Sequence, residues 1–294
     1  MKIIPFLLLL LLFSGILNAQ EKFYNFTQED NKIDTTFILK KYKLHFVSID
    51  SALFYSVKRN NHFFDDYFQR KKTFTETLNN LNGESDSLFE LNEIHKYMSH
   101  VKREGNKLKI TSITGKEKEF VNKKEDRIKR IYSFRYLQWL DIIPYSKYTF
   151  IGLHEDINSY VIMDSGYETR NFILVNKNSG ESIIIPAMGN SFQVSPNKEK
   201  IFSCSPGMGE IYPNEIELFS VENYKVKKEF EMLFDCDMEF TRSFYGPIDY
   251  VWIDDKTIYV RMLHFMINVQ PKFDSLKSNR NTESTESYMV LTIE

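Results

Sequence analysis

One pattern recurs in the second half of the chain: a short strand, a polar turn and a second apolar strand. Its clearest copy is S-F-Q-V-S-P-N-K-E-K-I at residues 191–201, where apolar and polar residues alternate over residues 192–194 and a new apolar run begins at Ile201. Pro196 fixes the backbone angle needed at the second position of a type I turn, and Asn197 tolerates the conformation that follows. The pattern therefore predicts a β-hairpin.

Two weaker copies of this unit flank the first. In all three copies an apolar residue stands four positions after a polar turn residue: Tyr160 after Asp156, Ile201 after Asn197, and Ile258 after Asp254. The two intervals between these apolar residues are 41 and 57 residues. They bracket the roughly 40 to 50 residues of one four-stranded propeller blade.

Each of the first two units continues with a second pair of predicted strands, at residues 172–175 and 182–185 and at residues 216–221 and 226–232. This order of elements resembles the blades of TolB- and WD40-like β-propellers over about residues 148–294. The resemblance implies a fold and no particular activity. No G-H or W-D dipeptide stands at the expected places, and about three blades fall short of the four that a closed propeller needs. A β-sandwich or an open meander is the alternative.

The predicted fold class is mainly β, with an antiparallel, partial or irregular propeller-like C-terminal half and a smaller α+β N-terminal region. The predicted divisions are a signal peptide at 1–19, the α+β region at 20–122, a linker or docking segment at 123–147 and the β domain at 148–294. Hydrophobic spacing predicts further elements: helices at 63–78 and 88–101, strands at 37–39 and 42–49, a hairpin at 107–121, a mobile loop at 275–287 and a last strand at 288–293.

Residues 1–19 have the pattern of a secretory signal peptide. Lys2 gives a positive start, residues 3–13 are apolar except for Pro5, and L-N-A provides a small-residue cleavage site. The run is shorter than the roughly 20 residues that span a bilayer. The pattern predicts export to the periplasm or beyond the cell, with no membrane span after cleavage; a retained anchor is the alternative. The ending L-N-A-Q resembles the signal peptides of secreted proteins from Bacteroidetes-type bacteria.

The charge balance argues against polyanionic partners. The chain carries a formal net charge of −2, with 38 basic and 40 acidic residues, and removal of Lys2 with the leader leaves it more acidic. The run at 122–130 mixes basic with acidic residues, which is typical of a solvated face. We therefore predict neither nucleic acid nor an anionic membrane as a partner.

The two cysteines, Cys204 and Cys236, stand in a chain predicted to be exported. An even count in an oxidising compartment predicts one disulfide between them. Two free buried thiols on neighbouring strands are the alternative, because sequence does not fix the distance between the sulfur atoms.

No motif for catalysis or for a cofactor is present. His95 and His100 are five positions apart, so they would not share a helix face. The run Asp235, Asp237 and Glu239 begins like a calcium loop, but it lacks the glycine at the sixth place and the acidic residue at the twelfth. We predict no cofactor, no metal and no catalytic residue from these patterns.

A ligand site is predicted where aromatic and acidic residues fall on loops at one end of the presumed sheets. It consists of Phe244, Tyr245, Trp252, Asp254 and Glu210. Aromatic rings beside carboxylates suit a sugar or a peptide. Core aromatic residues of a β protein are the alternative.

These patterns leave three hypotheses for function. The first is an exported, non-catalytic binding protein for a protein or glycan ligand. The second is a secreted hydrolase of glycans, whose acidic residues meet only in three dimensions: Asp235, Asp237, Glu239, Asp254 and Asp255. The third is a structural protein of the envelope.

Overall fold

The computed structural model describes residues 23–24, 34–57, 62–77, 85–124, 129–133, 138–142, 145–166, 170–186, 192–205, 214–234, 243–268 and 281–294. The predicted signal peptide, Glu210, Cys236 and the run 235–239 lie outside these residues. Within the described part of the chain, no helix is both long and apolar enough to cross a membrane.

The described residues include three α-helices toward the N-terminal end: α1 (Ser51–Ser56), α2 (His62–Thr77) and α3 (Ser85–His95). The Asp50 carboxylate caps α1 by accepting a hydrogen bond of 2.7 Å from the backbone N–H of Ala52. The prediction of a helix as far as Val101 was wrong at its end. Val101 has the spacing of the helical face, but it pairs with Ile110 in a sheet, where its side chain is buried.

Strands make up most of the described chain, as the alternating sequence pattern predicts. In chain order they are β1 (Phe23–Tyr24), β2 (Asp34–Leu39), β3 (Tyr42–Ser48), β4 (Val101–Glu104), β5 (Lys107–Thr111), β6 (Glu117–Val121), β7 (Lys123–Lys124), β8 (Lys129–Ser133), β9 (Gln138–Ile142), β10 (Tyr145–His154), β11 (Ser159–Gly166), β12 (Arg170–Asn176), β13 (Ser182–Pro186), β14 (Gln193–Val194), β15 (Lys200–Ser205), β16 (Asn214–Glu222), β17 (Lys225–Phe234), β18 (Ser243–Trp252), β19 (Thr257–Asn268) and β20 (Asn281–Ile293).

Three five-stranded sheets repeat one plan. The first sheet has the order β13-β12-β11-β10-β7, the second β1-β17-β16-β15-β14 and the third β18-β19-β20-β3-β2. Each sheet contains a run of four antiparallel strands: β10-β11-β12-β13, β14-β15-β16-β17 and β18-β19-β20-β3. Tyr160, Ile201 and Ile258 are each the second residue of the second strand in these runs, and each is fully buried. The alignment of the three sequence units is therefore confirmed at the level of strands.

The fourth strand of the third sheet comes from the other end of the chain. Strands β18, β19 and β20 follow one another, but the next position is filled by β3, which pairs antiparallel with β20. Phe46 lies opposite Leu291, and both side chains are buried. The division of the chain at residues 123–147 stays a prediction, although strands from both sides of it share this sheet.

The sheets pack face to face in a stack, with one hydrophobic cluster between each pair of neighbours. Buried residues of the third sheet, among them Val260 and Leu291, pack against Phe202 and Leu218 of the second. The opposite face of the second sheet packs against the first, and helices α2 and α3 add Phe64, Tyr67 and Phe89 to that cluster. The far face of the first sheet packs on the small sheet β4-β5-β6.

The two ends of the stack differ in what lies on their outer faces. The outer face of the small sheet is charged, with ion pairs of 2.9 Å from Lys109 to Glu104 and 3.0 Å from Lys107 to Glu119. The outer face of the third sheet is partly covered by α1, whose Phe54 is buried beside Tyr288. Among the described residues no closed ring of sheets is present.

The prediction of a mobile loop at residues 275–287 was wrong for residues 281–287. Strand β20 begins at Asn281 and pairs with β19 from Asn268 to Thr257 without interruption. Residues 281–287 are polar, so they carry no hydrophobic signal, but the ladder of backbone hydrogen bonds to β19 keeps them extended. Residues 275–280 lie outside the described part of the chain.

Glu90 joins α3 to the first sheet. Its buried carboxylate accepts a hydrogen bond of 2.8 Å from the backbone N–H of Phe150 and forms an ion pair with Arg103 of the small sheet. Arg103 also donates to the backbone oxygen of Tyr148 at 2.6 Å. One carboxylate thus connects a helix and two sheets.

We expect Glu90→Ala to lower the free energy of unfolding by about 3 kcal/mol, because the change leaves Arg103 buried without its counter-charge. Urea unfolding followed by circular dichroism measures the effect. Glu119→Ala is the control, and it should cost at most about 1 kcal/mol since its ion pair with Lys107 is solvent-exposed. Equal losses in the two variants would contradict the role assigned to Glu90.

A chain that starts at Ile49 lacks β2 and β3, and we expect it to lose cooperative unfolding because β20 becomes an unpaired edge strand. Appending residues 42–48 behind Glu294 through a linker of about four residues should restore cooperativity. The connection is short because the backbones of Glu294 and Lys43 already exchange two hydrogen bonds of 3.0 Å. Cooperative unfolding of the truncated chain without the appended strand would refute the requirement for β3.

Candidate functional site

Trp252, the centre of the predicted aromatic site, lies in the core. Its side chain is 3% exposed and packs edge-on against Phe202 of the second sheet, with ring centroids 6.3 Å apart. The indole N–H donates to the backbone oxygen of Gln193 at 3.3 Å. Trp252 therefore stabilises the contact between the second and third sheets, as in the alternative interpretation of these aromatic residues.

The other predicted ligand residues do not form one site in the described structure. Phe244 and Tyr245 lie within β18, where they pair with Phe265 and His264 of β19. Asp254 is exposed, and its carboxylate accepts a 2.8 Å hydrogen bond from the N–H of Lys256 within the turn before β19. Glu210 lies outside the described residues.

Asp255 also stabilises a turn. Its carboxylate accepts a 2.8 Å hydrogen bond from the backbone N–H of Asn197, and its backbone oxygen accepts another from Lys200. The S-P-N turn and the turn before β19 are thereby connected. The structure gives Asp254 and Asp255 a role in fixing loops.

Cys204 is a free, buried thiol on β15, and burial raises its pKa well above the ordinary value. Cys236 lies outside the described residues, but the free thiol of Cys204 agrees with the alternative of free buried cysteines and gives no support to the predicted disulfide.

Three glutamates that the sequence analysis did not single out meet at one end of the second sheet. One carboxylate oxygen from each of Glu215, Glu217 and Glu231 lies within 4.8 Å of the other two. Glu215 and Glu217 are two residues apart on β16, so they face the same side of the sheet, and Glu231 lies opposite Glu217 on β17. We call this group the glutamate cluster.

The cluster faces the first sheet. Phe219, two residues beyond Glu217 on the same side of β16, belongs to the hydrophobic cluster between the first and second sheets. Ser203, which lies opposite Glu217 on β15, is buried and donates a hydrogen bond to the backbone oxygen of Pro186 at the end of the first sheet. We call the interface between the first and second sheets the seam. The seam is otherwise apolar, and the glutamate cluster occupies its polar end.

A bulge in β17 brings a lysine to the same face. Pairing with β16 passes from Phe230 directly to Lys228, so Glu229 is an extra residue in the ladder. Without that residue Lys228 would point to the opposite face from Glu231. With it, the Lys228 ammonium forms ion pairs with both Glu217 and Glu231.

One atom of the cluster lacks a partner. Glu217 is 2% exposed, and its Oε1 binds Lys228, but its Oε2 is buried and accepts no hydrogen bond from the described residues. A buried carboxylate oxygen without a donor is costly, since desolvation is not offset by a new interaction. The position is one where a ligand atom would be stabilised.

The electrostatics reflect an excess of negative charge. Burial, together with the neighbouring Glu217 and Glu231, raises the pKa of Glu215 to about 7. Burial also raises the pKa of Glu217, although its ion pair with Lys228 opposes the change. For Lys228, burial alone would lower the pKa, but its bonds to the two glutamates outweigh burial and raise it.

The opposite end of the same seam is closed. Asn176 of the first sheet donates a 2.7 Å hydrogen bond to the backbone oxygen of Tyr224, in the β16–β17 turn. The cleft beside it, which Glu181 and Lys225 also line, has a volume of about 40 Å³. That space holds a few water molecules at most.

Comparisons with known proteins give no independent indication of the site's chemistry. A scan against protein-family models, a search of curated proteins and a search of solved structures each found no significant match to this chain.

Part of the glutamate cluster has a sequence signal. The E-I-E pattern at residues 215–217 inside a predicted strand places two carboxylates on one face. Glu231 and Lys228 have no such signal, because their positions depend on the register of β17 and on its bulge.

We expect Glu215→Gln to stabilise the protein at pH 8 and to change its stability little at pH 5. The pKa of Glu215 is about 7 when folded and near its ordinary 4.5 when unfolded, so the wild type loses stability as pH rises through this interval. The amide does not ionise, and the gain at pH 8 should be about 2 kcal/mol.

Urea unfolding at the two pH values, in buffer with a chelator, measures this difference. Glu181→Gln, which changes an exposed glutamate near the opposite end of the seam, is the control, and the effect of Glu215→Gln is measured relative to it. An equal effect of Glu215→Gln at both pH values would contradict the stated environment of this carboxyl group.

Proposed function

We propose that this protein is an exported, non-catalytic binding protein on a propeller-like scaffold. Support for the scaffold comes from the repeated four-stranded plan, the face-to-face stack of sheets and the N-terminal strand β3 that completes the C-terminal sheet. Support for export comes from the signal-peptide pattern of residues 1–19. The small sheet takes the place of a fourth, shorter blade.

The unpartnered Oε2 of Glu217 is the observation that supports binding. Around it stand two further carboxylates and one ammonium group, so the cluster has more acceptors and negative charge than it can satisfy internally. A ligand that supplies hydrogen-bond donors or positive charge meets this need. Glycans fit, because sugar hydroxyl groups donate to carboxylates, and we propose a glycan as the ligand.

Glycan hydrolysis by Asp254 and Asp255 has no geometric support. Both carboxylates hold backbone N–H groups of turns, at residues 254–256 and at Asn197. A hydrolase needs two carboxyl groups facing one bond, at roughly 5 to 9.5 Å. Hydrolysis nevertheless has a direct readout in the experiment that tests binding.

The mature protein, from residue 20 onward, is applied to an array of oligosaccharides in buffer that contains divalent cations. We expect retention of at least one oligosaccharide class and about tenfold weaker retention by Glu217→Gln, since the loss of a charged acceptor is worth about 1.5 to 3 kcal/mol. Glu181→Gln, at the closed end of the same seam, is the matched control and should bind as the wild type does.

Failure of the wild type to bind any oligosaccharide would refute the glycan proposal. Release of shortened saccharides, detected by mass spectrometry of the eluate, would refute the non-catalytic assignment and favour the hydrolase. Binding that Glu217→Gln leaves unchanged would refute the glutamate cluster as the binding site.

A further inference from the structure

We infer that the glutamate cluster is a binding site for a hard divalent metal cation, with Ca²⁺ as the best fit. The inference rests on the proposed function, because it concerns the same glutamate cluster. It adds that a metal ion binds there before the glycan does. Three kinds of observation support it: the donor set, the charge and the burial of the unpartnered oxygen.

The donor set is composed of oxygen atoms from carboxylates. One oxygen from each of Glu215, Glu217 and Glu231 lies within 4.8 Å of the others. Calcium–oxygen distances of about 2.3 to 2.6 Å allow a single ion to contact three atoms so spaced. Oxygen donors without nitrogen or sulfur select Ca²⁺ or Mg²⁺ over zinc or copper.

Calcium fits better than magnesium because the three donors come from an irregular part of the sheet. Mg²⁺ demands a near-octahedral shell at about 2.0 to 2.1 Å, whereas Ca²⁺ accepts variable geometry. Two donors are on β16 and one is on β17 beside the bulge at Glu229. Glu231 is exposed, so water or a ligand oxygen can reach the open side of the ion.

The charges balance with a divalent ion. Once all three carboxyl groups ionise to bind a metal, they face one ammonium group, that of Lys228, which is bound to Glu217 and Glu231. A divalent cation beside Lys228 makes the group neutral overall. A monovalent ion would leave it negative, and burial of uncompensated charge is unfavourable.

The burial of Glu217 favours a small ion over an organic ammonium group. Its Oε2 exposes less than 1 Å² to solvent, and no described residue donates a hydrogen bond to it. An organic ammonium group would have to carry its carbon skeleton into the interface to reach that atom, whereas a glycan can contact the cluster from outside at the exposed Glu231. A metal ion needs to displace only the side chains of the cluster itself.

Isothermal titration calorimetry with CaCl₂ on the metal-free mature protein tests the inference. We expect a dissociation constant on the order of 10⁻⁴ to 10⁻³ M, the range of exported calcium modules. Glu217→Gln and Glu231→Gln should each weaken binding about tenfold or more, since each removes one of three charged ligands. Glu231 is exposed, so its variant separates loss of the site from loss of the fold.

Lys228→Gln distinguishes a metal-binding site from a cluster that only stabilises the fold. Lys228 competes with the ion for Glu217 and Glu231, so the variant should bind Ca²⁺ more tightly than the wild type while being less stable without it. In the wild type, CaCl₂ at about 100 times the dissociation constant should raise the folded-to-unfolded ratio about 100-fold. Glu181→Gln is again the control and should match the wild type.

Three results would overturn the inference. The first is no heat and no thermal stabilisation up to about 20 mM CaCl₂, roughly twentyfold above the weaker limit of the expected range. The second is equal binding of CaCl₂ by the wild type and Glu217→Gln, and the third is tighter binding of MgCl₂ than of CaCl₂.

The glycan proposal and the calcium proposal can be refuted independently of each other. Glycan retention without calcium binding would leave only the proposed function, and calcium binding without glycan retention would leave only the metal site.

Discussion

The pairing of β3 with β20 is the interaction on which the rest of the structure depends. It joins residues about 245 positions apart in the chain, from Leu44 opposite Ile293 to Ser48 opposite Met289. Without it the third sheet would end at β20, and the buried residues Leu44 and Phe46 would be missing from the largest hydrophobic cluster. A contact between chain ends thus completes one sheet and anchors the stack.

Face-to-face packing then sets which positions are apolar. The second sheet is buried on both faces, so its central strand β16 carries apolar residues on both sides, as at Leu218 and Phe219. The small sheet packs only on one face, and its other face carries paired charges. The glutamate cluster is the exception, because it places charge on a face that is otherwise used for packing.

The sequence predicts the strands well where side chains alternate along them. Tyr160, Ile201 and Ile258 are equivalent in three sheets because the turn before each strand fixes which residue points inward. The helix end at Val101 and the polar start of β20 could not be predicted, since pairing with distant strands overrides the local pattern.

The site could be predicted only in small part. Aromatic and acidic residues near one another in sequence indicate a surface site, but the inward orientation of Trp252 follows from the position of the second sheet. Glu215 and Glu217 are a visible pair, whereas Lys228 reaches them only through a one-residue bulge. A one-residue bulge of this kind cannot be recognised from the amino-acid composition of the strand.

The shared sheet of β3 and β20 also has a consequence for how the molecule is made. A chain emerging from its N-terminus presents β3 early, but the strand that pairs with it is synthesised about 240 residues later. Until then β3 has an unsatisfied edge, and its native partner cannot be found locally. Completion of the third sheet should therefore be slow, with holding chaperones most needed before β20 has been synthesised.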